Sequence, residues 1–367
     1  MYQLAMGTRI RRSPYFEATQ AEGVTAFSTY NRMYMPTSYG DPEAEYWRLI
    51  EGVSMWDVAV ERQIELSGPD AGVLAQALIP RKMDRCKVGQ GRYVPICDHD
   101  GVLINDPIAL KLAEDRYWLS IADSDLVLWA RAIAAERRLD VQVFEAQIAP
   151  LAVQGPKAED VIASLFGDWA RDIKLFWFQE TEVEGIHLYL ARSGWSKQGG
   201  FELYLSDPTQ GVHLWNLVKE AGAPFGIGPG APNQSERVES GLLSYGADTD
   251  SRSTPFEVRM SRFVDLDAPD DAVGIGALRD IASRGAARHQ LGVLLPEGPM
   301  LPRYDSWFTL TRDMEVVGKI TSAAWSPRLK RNIGMALVST DCAPGDTAQA
   351  LLTEGPVDVQ FVELPFL

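Results

Sequence analysis

The amino-acid sequence predicts an α+β protein that ends in a separate all-β domain. The chain of 367 residues is 46% apolar, which is enough to form more than one hydrophobic core. Up to residue 265, segments in which apolar residues alternate are interspersed with segments of helical spacing. Beyond residue 285, short apolar runs are separated by Gly and Pro turns, which is typical of a small all-β domain.

In the first α+β unit, residues 62–138, the sequence pattern predicts the order strand, helix, three strands, helix. The segment RQIELSG alternates apolar and polar residues as a half-buried strand does, and DAGVLAQALIP then has helical spacing after an Asp N-cap. Turn residues at His99–Gly101 and Glu114–Asp115 divide the next three strands. These elements occupy 62–68, 70–80, 93–123 and 124–138.

The second α+β unit repeats this mixture and ends at an acidic loop. Its strands are expected at 149–156, 176–183 and 186–194, and its helices at 158–167, 211–222 and 236–246. The glycine-rich segment 226–232 has no preceding strand of the dinucleotide-binding kind and predicts a turn. The Pro-containing loop at 265–273 is the best single boundary before the all-β domain.

Charge and composition exclude several classes of partner. The chain has 35 basic and 50 acidic residues, a net charge of −15, which disfavours nucleic acid because such binding depends on phosphate neutralisation. No apolar run approaches the roughly 18 residues of a membrane span, and the N-terminus lacks the apolar core of a secretion signal. We therefore expect a cytoplasmic protein, as monomer or homodimer, with no membrane partner.

The sequence also lacks the residue patterns of several chemistries. The chain has three cysteines, without the spacing of disulfide pairs, and four scattered histidines. This pattern argues against both a disulfide framework and a metal site. No GxSxG, phosphate-binding GxxxxGK[ST] or HExxH motif occurs. The sequence therefore lacks the residues that are typical of three chemistries: hydrolysis by a nucleophile and histidine pair, metal catalysis and hydride transfer.

Polar residues inside apolar strand segments are the first candidates for a site, because burying them costs free energy unless they are paired. Asp106 falls at a predicted strand centre in GVLINDPIAL, next to Asn105 and before Pro107. It could be a carboxylate directed into a pocket as a hydrogen-bond acceptor or charge partner. An exposed turn on an edge strand is the alternative.

Glu202 is the second candidate, in RSGWSKQGGFELYL. The paired glycines permit a sharp turn or the close approach of a ligand to the backbone. Strand alternation then directs Phe201, Leu203 and Leu205 to one face and Glu202 and Tyr204 to the other. That polar face could equally be a solvated strand face. The segment ERVESGLLSYG is a third candidate, with an amphipathic surface helix as its alternative.

Six ordered segments resemble one family. The segments MWDVAVERQIEL, GVLINDPIAL, PLAVQGPKAEDV, ARSGWSKQGGFELYL, ERVESGLLSYG and GKITSAAWSPRLKRNIGMALV are similar to the aminomethyltransferase (glycine-cleavage T-protein) superfamily over nearly the whole chain. Within it, RSGWSKQGG, LSIADSD and RVESGLLSYG resemble the dimethylsulfoniopropionate demethylases. The resemblance implies a three-domain cloverleaf around a central funnel for tetrahydrofolate. The implied domains are 1–50 with 140–265 (folate-binding), 51–139 (ferredoxin-like α+β) and 280–367 (C-terminal β).

The resemblance also implies roles for individual residues. Glu202 matches the glutamate that hydrogen-bonds the folate pterin, and Tyr93 matches a tyrosine of the folate site. Asp106 matches the catalytic aspartate near the reacting nitrogen, where it also contacts the folate. Trp195 and Ser120 match positions that face both the folate and the methyl donor.

Two further matches concern the donor and the folate tail. Tyr204 falls where the demethylases place an aromatic residue beside the methyl donor. Asn233 stands where the T-protein has a folate-contacting arginine, so another group must hold the folate tail. The segments 244–248 and 257–261 also depart from the demethylase pattern at the central funnel, and the donor could therefore differ.

The implied activity is transfer of a methyl group from a small donor to N5 of tetrahydrofolate, the methyl acceptor. Dimethylsulfoniopropionate or a similar methylated compound is the expected donor, since a sulfonium departs as a neutral thioether and needs no acid. A glycine-cleavage type aminomethyltransferase and a demethylase of another N-, O- or S-methyl donor are alternatives. The folate-binding iron–sulfur assembly proteins are a third, against which the absence of a cysteine from SGWSKQGG counts.

Overall fold

The computed structural model describes residues 7–296, 307–353 and 355–367. The helices are α1 Phe16–Ala21, α2 Pro42–Glu51, α3 Ala71–Leu78, α4 Leu126–Glu136, α5 Ala158–Phe166, α6 Gly211–Gly222, α7 Gln234–Glu239 and α8 Ile275–Arg284. The strands are β1 Ala26–Tyr30, β2 Met33–Ser38, β3 Ser54–Asp57, β4 Gln63–Ser67, β5 Gln90–Tyr93, β6 Ile96–Cys97, β7 Leu103–Asn105, β8 Ile108–Ala113, β9 Arg116–Ser120, β10 Gln142–Ala146, β11 Ala149–Gln154, β12 Phe178–Val183, β13 Ile186–Ala191, β14 Gly200–Leu205, β15 Gly228–Gly230, β16 Arg288–Leu294, β17 Phe308–Arg312, β18 Glu315–Ser326, β19 Arg331–Ser339, β20 Thr347–Leu352 and β21 Gly355–Val362.

The chain forms two compact units. Of the described residues, the first contains 7–75, 83–93 and 107–232, and the second contains 76–82, 94–106, 233–296, 307–353 and 355–367. No helix in the described part of the chain is long and apolar enough to cross a bilayer.

The first unit contains two larger sheets and a hairpin. A five-stranded sheet has the order β10-β4-β9-β8-β5, a six-stranded sheet has the order β12-β13-β14-β11-β3-β15, and β1 pairs with β2. In the six-stranded sheet β15 runs parallel to β3, and the other neighbours are antiparallel. The chain crosses between the two larger sheets after β3 and again after β10.

The two faces of the six-stranded sheet have different partners. Leu151, Val153, Leu203 and other apolar residues of one face belong to the main core of this unit, to which α5 and α6 contribute. Tyr204 on the opposite face packs in a second cluster with Trp118 of the five-stranded sheet. The space between the sheets is therefore apolar in this region and can exclude water from polar groups beside it.

The second unit is built around a closed six-stranded barrel. Its strand order is β16-β19-β18-β17-β20-β21, and β6 and β7 form a separate hairpin. Arg237 of α7 is buried and donates to Asp248 at 2.7 Å, and Asp248 also accepts from Thr321 of the barrel at 2.7 Å. The segment ERVESGLLSYG therefore anchors the chain to the barrel through a buried ion pair, and a solvent-exposed helix is the wrong description of it.

The α+β class and the C-terminal all-β domain are confirmed, whereas two local predictions are wrong. Part of the segment 226–232 forms β15 rather than only a turn, because Gly228–Gly230 pairs in parallel with β3. The helix expected at 236–246 ends at Glu239, since Gly241 has a φ of +61° that an α-helix cannot contain. The three domains and their boundaries stay a prediction.

Candidate active site

Strand β14 places Glu202 and Tyr204 on the same face. Glu202 pairs with Ala152 of β11, and Tyr204 pairs with Pro150 two residues away, so both side chains point away from the main core. Both are buried, with exposed fractions of 4% for Glu202 and 1% for Tyr204. The predicted alternation is therefore confirmed, and the solvated strand face is excluded.

The hydrogen bonds to the Glu202 carboxylate both end on one of its oxygens. Tyr204 donates its hydroxyl to Oε2 at 3.0 Å, and Ser193 donates its hydroxyl to the same atom. Oε1 accepts no hydrogen bond from the residues that the structure describes, and it is not among their fully enclosed unpaired atoms. A buried carboxylate with one open oxygen can accept from a bound molecule.

Glu65, a second buried carboxylate of this unit, shows the opposite arrangement. Arg116 donates to both of its oxygens, at 2.8 and 3.0 Å, and Trp118 Nε1 donates at 2.7 Å. This carboxylate is satisfied within the protein. Burial alone therefore does not mark a ligand site in this unit. Buried Glu45 also has an open oxygen, since Ser38 and Tyr39 both donate to its Oε1. What distinguishes Glu202 is an open oxygen together with a hydrogen bond to Tyr204, a member of the aromatic cluster with Trp118.

Burial also controls the protonation of the pair. It raises the pKa of Glu202, while the hydrogen bonds from Ser193 and Tyr204 oppose that rise. The pKa of Tyr204 is raised well above its ordinary value, first by burial and then by the charge of Glu202. Tyr204 therefore keeps its proton at neutral pH and remains a donor to the carboxylate.

Ser120 of the five-stranded sheet is hydrogen-bonded to Tyr204 and so connects that sheet to the Glu202 and Tyr204 pair. It is buried at the end of β9, where it pairs with Gln63 of β4, and Gln63 Nε2 donates to its hydroxyl at 2.9 Å. A hydrogen bond from Ser120 lowers the pKa of Tyr204 and so offsets part of the effect of burial. The structure thus brings three predicted residues, Glu202, Tyr204 and Ser120, into one hydrogen-bonded row.

Buried Gln154 of β11 fixes the loop between β13 and β14 by hydrogen bonds. Gln154, with an exposed fraction of 1%, donates to the Ser193 carbonyl at 3.1 Å and accepts from the Ser196 hydroxyl at 2.8 Å. Its amide lies against Gly194 and Gly200, where any Cβ would overlap it. Both glycines also have positive φ values, +144° and +159°. A contact within the protein therefore requires glycine at both positions, in addition to the sharp turn or ligand approach that the paired glycines at 199 and 200 predicted.

Trp195 and Tyr93 lie at the ends of elements of the first unit. Trp195 is half-buried in the loop that Gln154 holds, two residues after Ser193. Tyr93 is the last residue of β5, is half-buried, and pairs with Ile108. Their contacts with folate stay a prediction.

Asp106 and Asn233 belong to the second unit. Asp106 is half-buried in the two-residue link between β7 and β8, so its placement at a strand centre is wrong, and Pro107 explains why the ladder is interrupted there. Its catalytic role stays a prediction. Asn233 caps α7, since its side chain accepts from the Glu236 amide at 3.0 Å. Asn233 therefore stabilises the start of a helix, and its correspondence to a folate-contacting arginine of the T-protein stays a prediction.

Aromatic rings line the space around the Glu202 and Tyr204 pair. The Trp118 ring lies 4.9 Å from the Tyr189 ring and 6.2 Å from the Tyr204 ring. Trp118 and Tyr204 are buried, and each uses its polar group in a hydrogen bond to a glutamate. The arrangement offers an aromatic wall beside an open carboxylate oxygen, a combination suited to a flat heterocycle with N–H donors or to a cation.

Comparison with known proteins assigns the chain to a family and identifies its fold. The GCVT N-terminal domain family matches residues 15–268, and the glycine cleavage T-protein C-terminal barrel domain matches residues 288–367. The glycine cleavage system aminomethyltransferase T of Bartonella henselae has the same fold, with a TM-score of 0.85 and 21% identity over 98% of each chain. The chain belongs to the glycine-cleavage T-protein (aminomethyltransferase) superfamily, and the expected fold type is confirmed.

Two curated relatives indicate which branch of the superfamily this chain resembles more. The dimethylsulfoniopropionate demethylase DmdA of Ruegeria pomeroyi is 42% identical over 96% of this chain and 96% of its own length. An aminomethyltransferase of Saccharopolyspora erythraea is 32% identical over 97% of this chain and 98% of its own. The predicted likeness to the demethylase branch of the superfamily is confirmed.

Proposed function

We propose that this chain is a tetrahydrofolate-dependent methyltransferase that demethylates dimethylsulfoniopropionate. The methyl group would pass to N5 of tetrahydrofolate, leaving 3-(methylthio)propionate. The higher identity to the demethylase, 42% against 32% for the aminomethyltransferase, over nearly full length in both cases, supports this choice. The proposal keeps the cytoplasmic location expected from the sequence.

One observation carries the folate part of this proposal: the open Oε1 of Glu202. A pterin ring presents neighbouring N–H donors, which match a carboxylate acceptor in a water-poor site. Burial raises the pKa of Glu202, and hydrogen bonds to the ionised form, including those from a pterin, favour the charged state. The residues present therefore fit the group. When bound, tetrahydrofolate would supply the nucleophilic nitrogen that accepts the methyl group.

The chain's own residues then have positioning roles. A sulfonium leaves as a neutral thioether, so the protein need not protonate the leaving group, and alignment of an in-line displacement is the main requirement. Tyr204 remains a neutral donor and an aromatic surface beside the open carboxylate oxygen, and an aromatic face stabilises a cationic donor by about 1–2 kcal/mol when water is excluded. Ser120 and Gln63 hold the Tyr204 hydroxyl in place from the other sheet.

An assay with a panel of donors tests the proposal. The purified protein is incubated with tetrahydrofolate and, in parallel, with dimethylsulfoniopropionate, glycine betaine, dimethylglycine or an aminomethyl donor, and the folate products are separated. We expect 5-methyltetrahydrofolate with the sulfonium donor. Methylenetetrahydrofolate from the aminomethyl donor alone would instead support the aminomethyltransferase alternative. Methylfolate from an N-methyl donor alone would point to a demethylase of that donor.

A further inference from the structure

Gln63 is a buried amide at the start of β4, with an exposed fraction of 0%. Its Nε2 donates to the Glu61 carbonyl at 2.6 Å and to the Ser120 hydroxyl at 2.9 Å. Its Oε1 is enclosed and accepts no hydrogen bond from the described residues. Burying an acceptor without a donor costs free energy, and an apolar side chain would avoid that cost. The two N–H donors are therefore the part of this side chain that the structure uses.

The Glu61 carbonyl fixes the orientation of this amide. A backbone carbonyl has no hydrogen to donate, so the atom of Gln63 that faces it at 2.6 Å must be the nitrogen. The reversed amide would bring Oε1 against the carbonyl oxygen and place two acceptors together. The same nitrogen faces Ser120, and Gln63 is therefore a donor to the Ser120 hydroxyl.

This donor gives the hydrogen-bonded row a single direction. Ser120 Oγ accepts from Gln63, so the one hydrogen of its hydroxyl is available to Tyr204. The Ser120 hydrogen bond lowers the pKa of Tyr204, which is the effect of a donor to the phenol oxygen. Tyr204 in turn donates its hydrogen to Glu202 Oε2 at 3.0 Å. The row therefore runs from the amide to the carboxylate, and each hydroxyl accepts from one neighbour and donates to the next.

The direction of the row determines where Glu202 can hold a proton. Oε2 accepts from Tyr204 and from Ser193, so a proton on that oxygen would displace a donor. A protonated Glu202 would therefore carry its hydrogen on Oε1 and direct it towards a ligand. The ionised form is the one that offers Oε1 to N–H groups without a competing hydrogen.

Neutral donors stabilise the ionised form of Glu202. Among the described residues its partners are the hydroxyls of Tyr204 and Ser193, and neither a lysine nor an arginine pairs with it. Its neighbours across the sheet are Ala152 and Ala191, which carry no charge. Burial raises the pKa of Glu202, and the two hydroxyl hydrogen bonds lower it. Loss of one of these donors should therefore raise the pKa further.

The charged groups around the row do not replace a hydroxyl donor. On the five-stranded sheet, Arg116 donates to both oxygens of Glu65 and is held there. The charge of Glu61 acts on Tyr204 and raises its pKa. Tyr189 of β13, which pairs with Tyr204, also has a raised pKa, first through burial, and stays uncharged at neutral pH. The protonation of Glu202 therefore depends on the row itself.

We propose that Gln63 is a positioning residue that acts through Ser120 and Tyr204 to keep the Glu202 carboxylate ionised, with Oε1 offered as an acceptor. The inference deepens the proposed function and rests on it, because this acceptor serves the tetrahydrofolate site. Without the amide donor, the Ser120 hydroxyl is free to turn. Tyr204 would then share its hydrogen between Ser120 and Glu202, and the carboxylate would lose part of a donor.

A double-mutant cycle tests this assignment. Gln63→Met removes both N–H donors and keeps an unbranched side chain. We expect the pH midpoint of tetrahydrofolate binding, measured by calorimetry, to move upward by about 0.5–1 on the pH scale, the equivalent of one neutral hydrogen bond. In a Tyr204→Phe background, Gln63→Met should cause no further change, because the row is already interrupted. An unchanged midpoint in Gln63→Met alone, or an equal change in both backgrounds, would overturn the proposal.

A second variant of Gln63 covers the case in which Gln63→Met does not fold. Gln63→Glu keeps the shape of the side chain but leaves an acceptor facing Ser120, so the row should reverse and the midpoint should again move upward. A folded Gln63→Glu protein with the wild-type midpoint would overturn the proposal. Gln290→Met is the matched control, since Gln290 is a buried glutamine of β16 in the second unit. It should keep the wild-type midpoint.

An infrared measurement on the ligand-free protein separates this inference from the proposed function. Difference spectra between the wild type and Glu202→Gln identify the carboxyl band of Glu202, whose frequency differs between the protonated and ionised forms. We expect the pH at which this band converts to move upward in Gln63→Met. If the protein transfers the methyl group but the band of Gln63→Met converts at the wild-type pH, the positioning role is wrong and the proposed function stands. If the band moves but no methyl transfer occurs, the role of Gln63 stands without the proposed reaction.

Discussion

Replacement of Glu202 by alanine is expected to weaken tetrahydrofolate binding by about 2 kcal/mol, or roughly 30-fold in Kd. Hydrogen bonds to charged groups contribute about 1.5–3 kcal/mol. The site supplies one such acceptor, because Oε2 is occupied by Tyr204 and Ser193 whereas Oε1 is open. The assay is calorimetric titration with tetrahydrofolate in the absence of a methyl donor, so that binding is measured apart from turnover.

Two further variants distinguish ligand binding from folding. Glu202→Gln keeps an oxygen for Tyr204 and Ser193, so it should retain most of the stability but lose most of the charge-assisted binding. Glu65→Gln alters a buried carboxylate whose oxygens are already occupied by Arg116 and Trp118. It should lower the free energy of unfolding without changing the Kd. A folded Glu202→Ala protein with the wild-type Kd would refute the assignment.

Three other perturbations probe the surroundings of the site and the first unit. Gly194→Ala should push the Gln154 amide out of position and raise the KM for tetrahydrofolate more than it lowers kcat; unchanged kinetics would show that the loop is not held by this contact. Tyr204→Phe removes a hydrogen bond that lowers the pKa of Glu202, so the pH midpoint of folate binding should shift upward, and an unshifted midpoint would contradict this. Burial raises the pKa of Asp57 from 3.8 to about 6, so its contribution to stability is complete below pH 3.8 and is lost as the pH rises through 6. Relative to Asp57→Asn, the wild type should lose about 3 kcal/mol of unfolding free energy over that window in urea titrations, and parallel pH profiles would exclude the effect.

The sequence predicted the part of the site that lies within one strand. Alternation in GGFELYL placed Glu202 and Tyr204 together, because successive strand side chains point to opposite faces. Residues that act on this pair from elsewhere in the chain were missed. Gln154 comes from β11 and Gln63 from β4, and no local pattern shows that they meet this loop or Ser120. A glutamine inside an apolar strand, as in PLAVQGP, was the available signal for Gln154.

Fold predictions failed where tertiary pairing overrides local preference. Strand β15 consists of Gly-Pro-Gly, residue types that are depleted in strands, yet it pairs with β3, so its position in the sheet determines its conformation. The opposite case is α7, whose apolar spacing continues past the point where Gly241 adopts a positive φ. At Asp106 the prediction of one continuous strand failed for a local reason. Pro107 has no backbone N–H to donate, so the strand pairing is interrupted between β7 and β8.

The most direct test of the central claim follows a labelled methyl group. Dimethylsulfoniopropionate with both methyl groups deuterated is supplied to the purified protein with tetrahydrofolate, and both products are measured by mass spectrometry. The account predicts 5-methyltetrahydrofolate carrying three deuterium atoms and 3-(methylthio)propionate carrying the other three, in equal amounts. Folate that binds to the protein but gains no labelled methyl group, at any protein concentration, would contradict it.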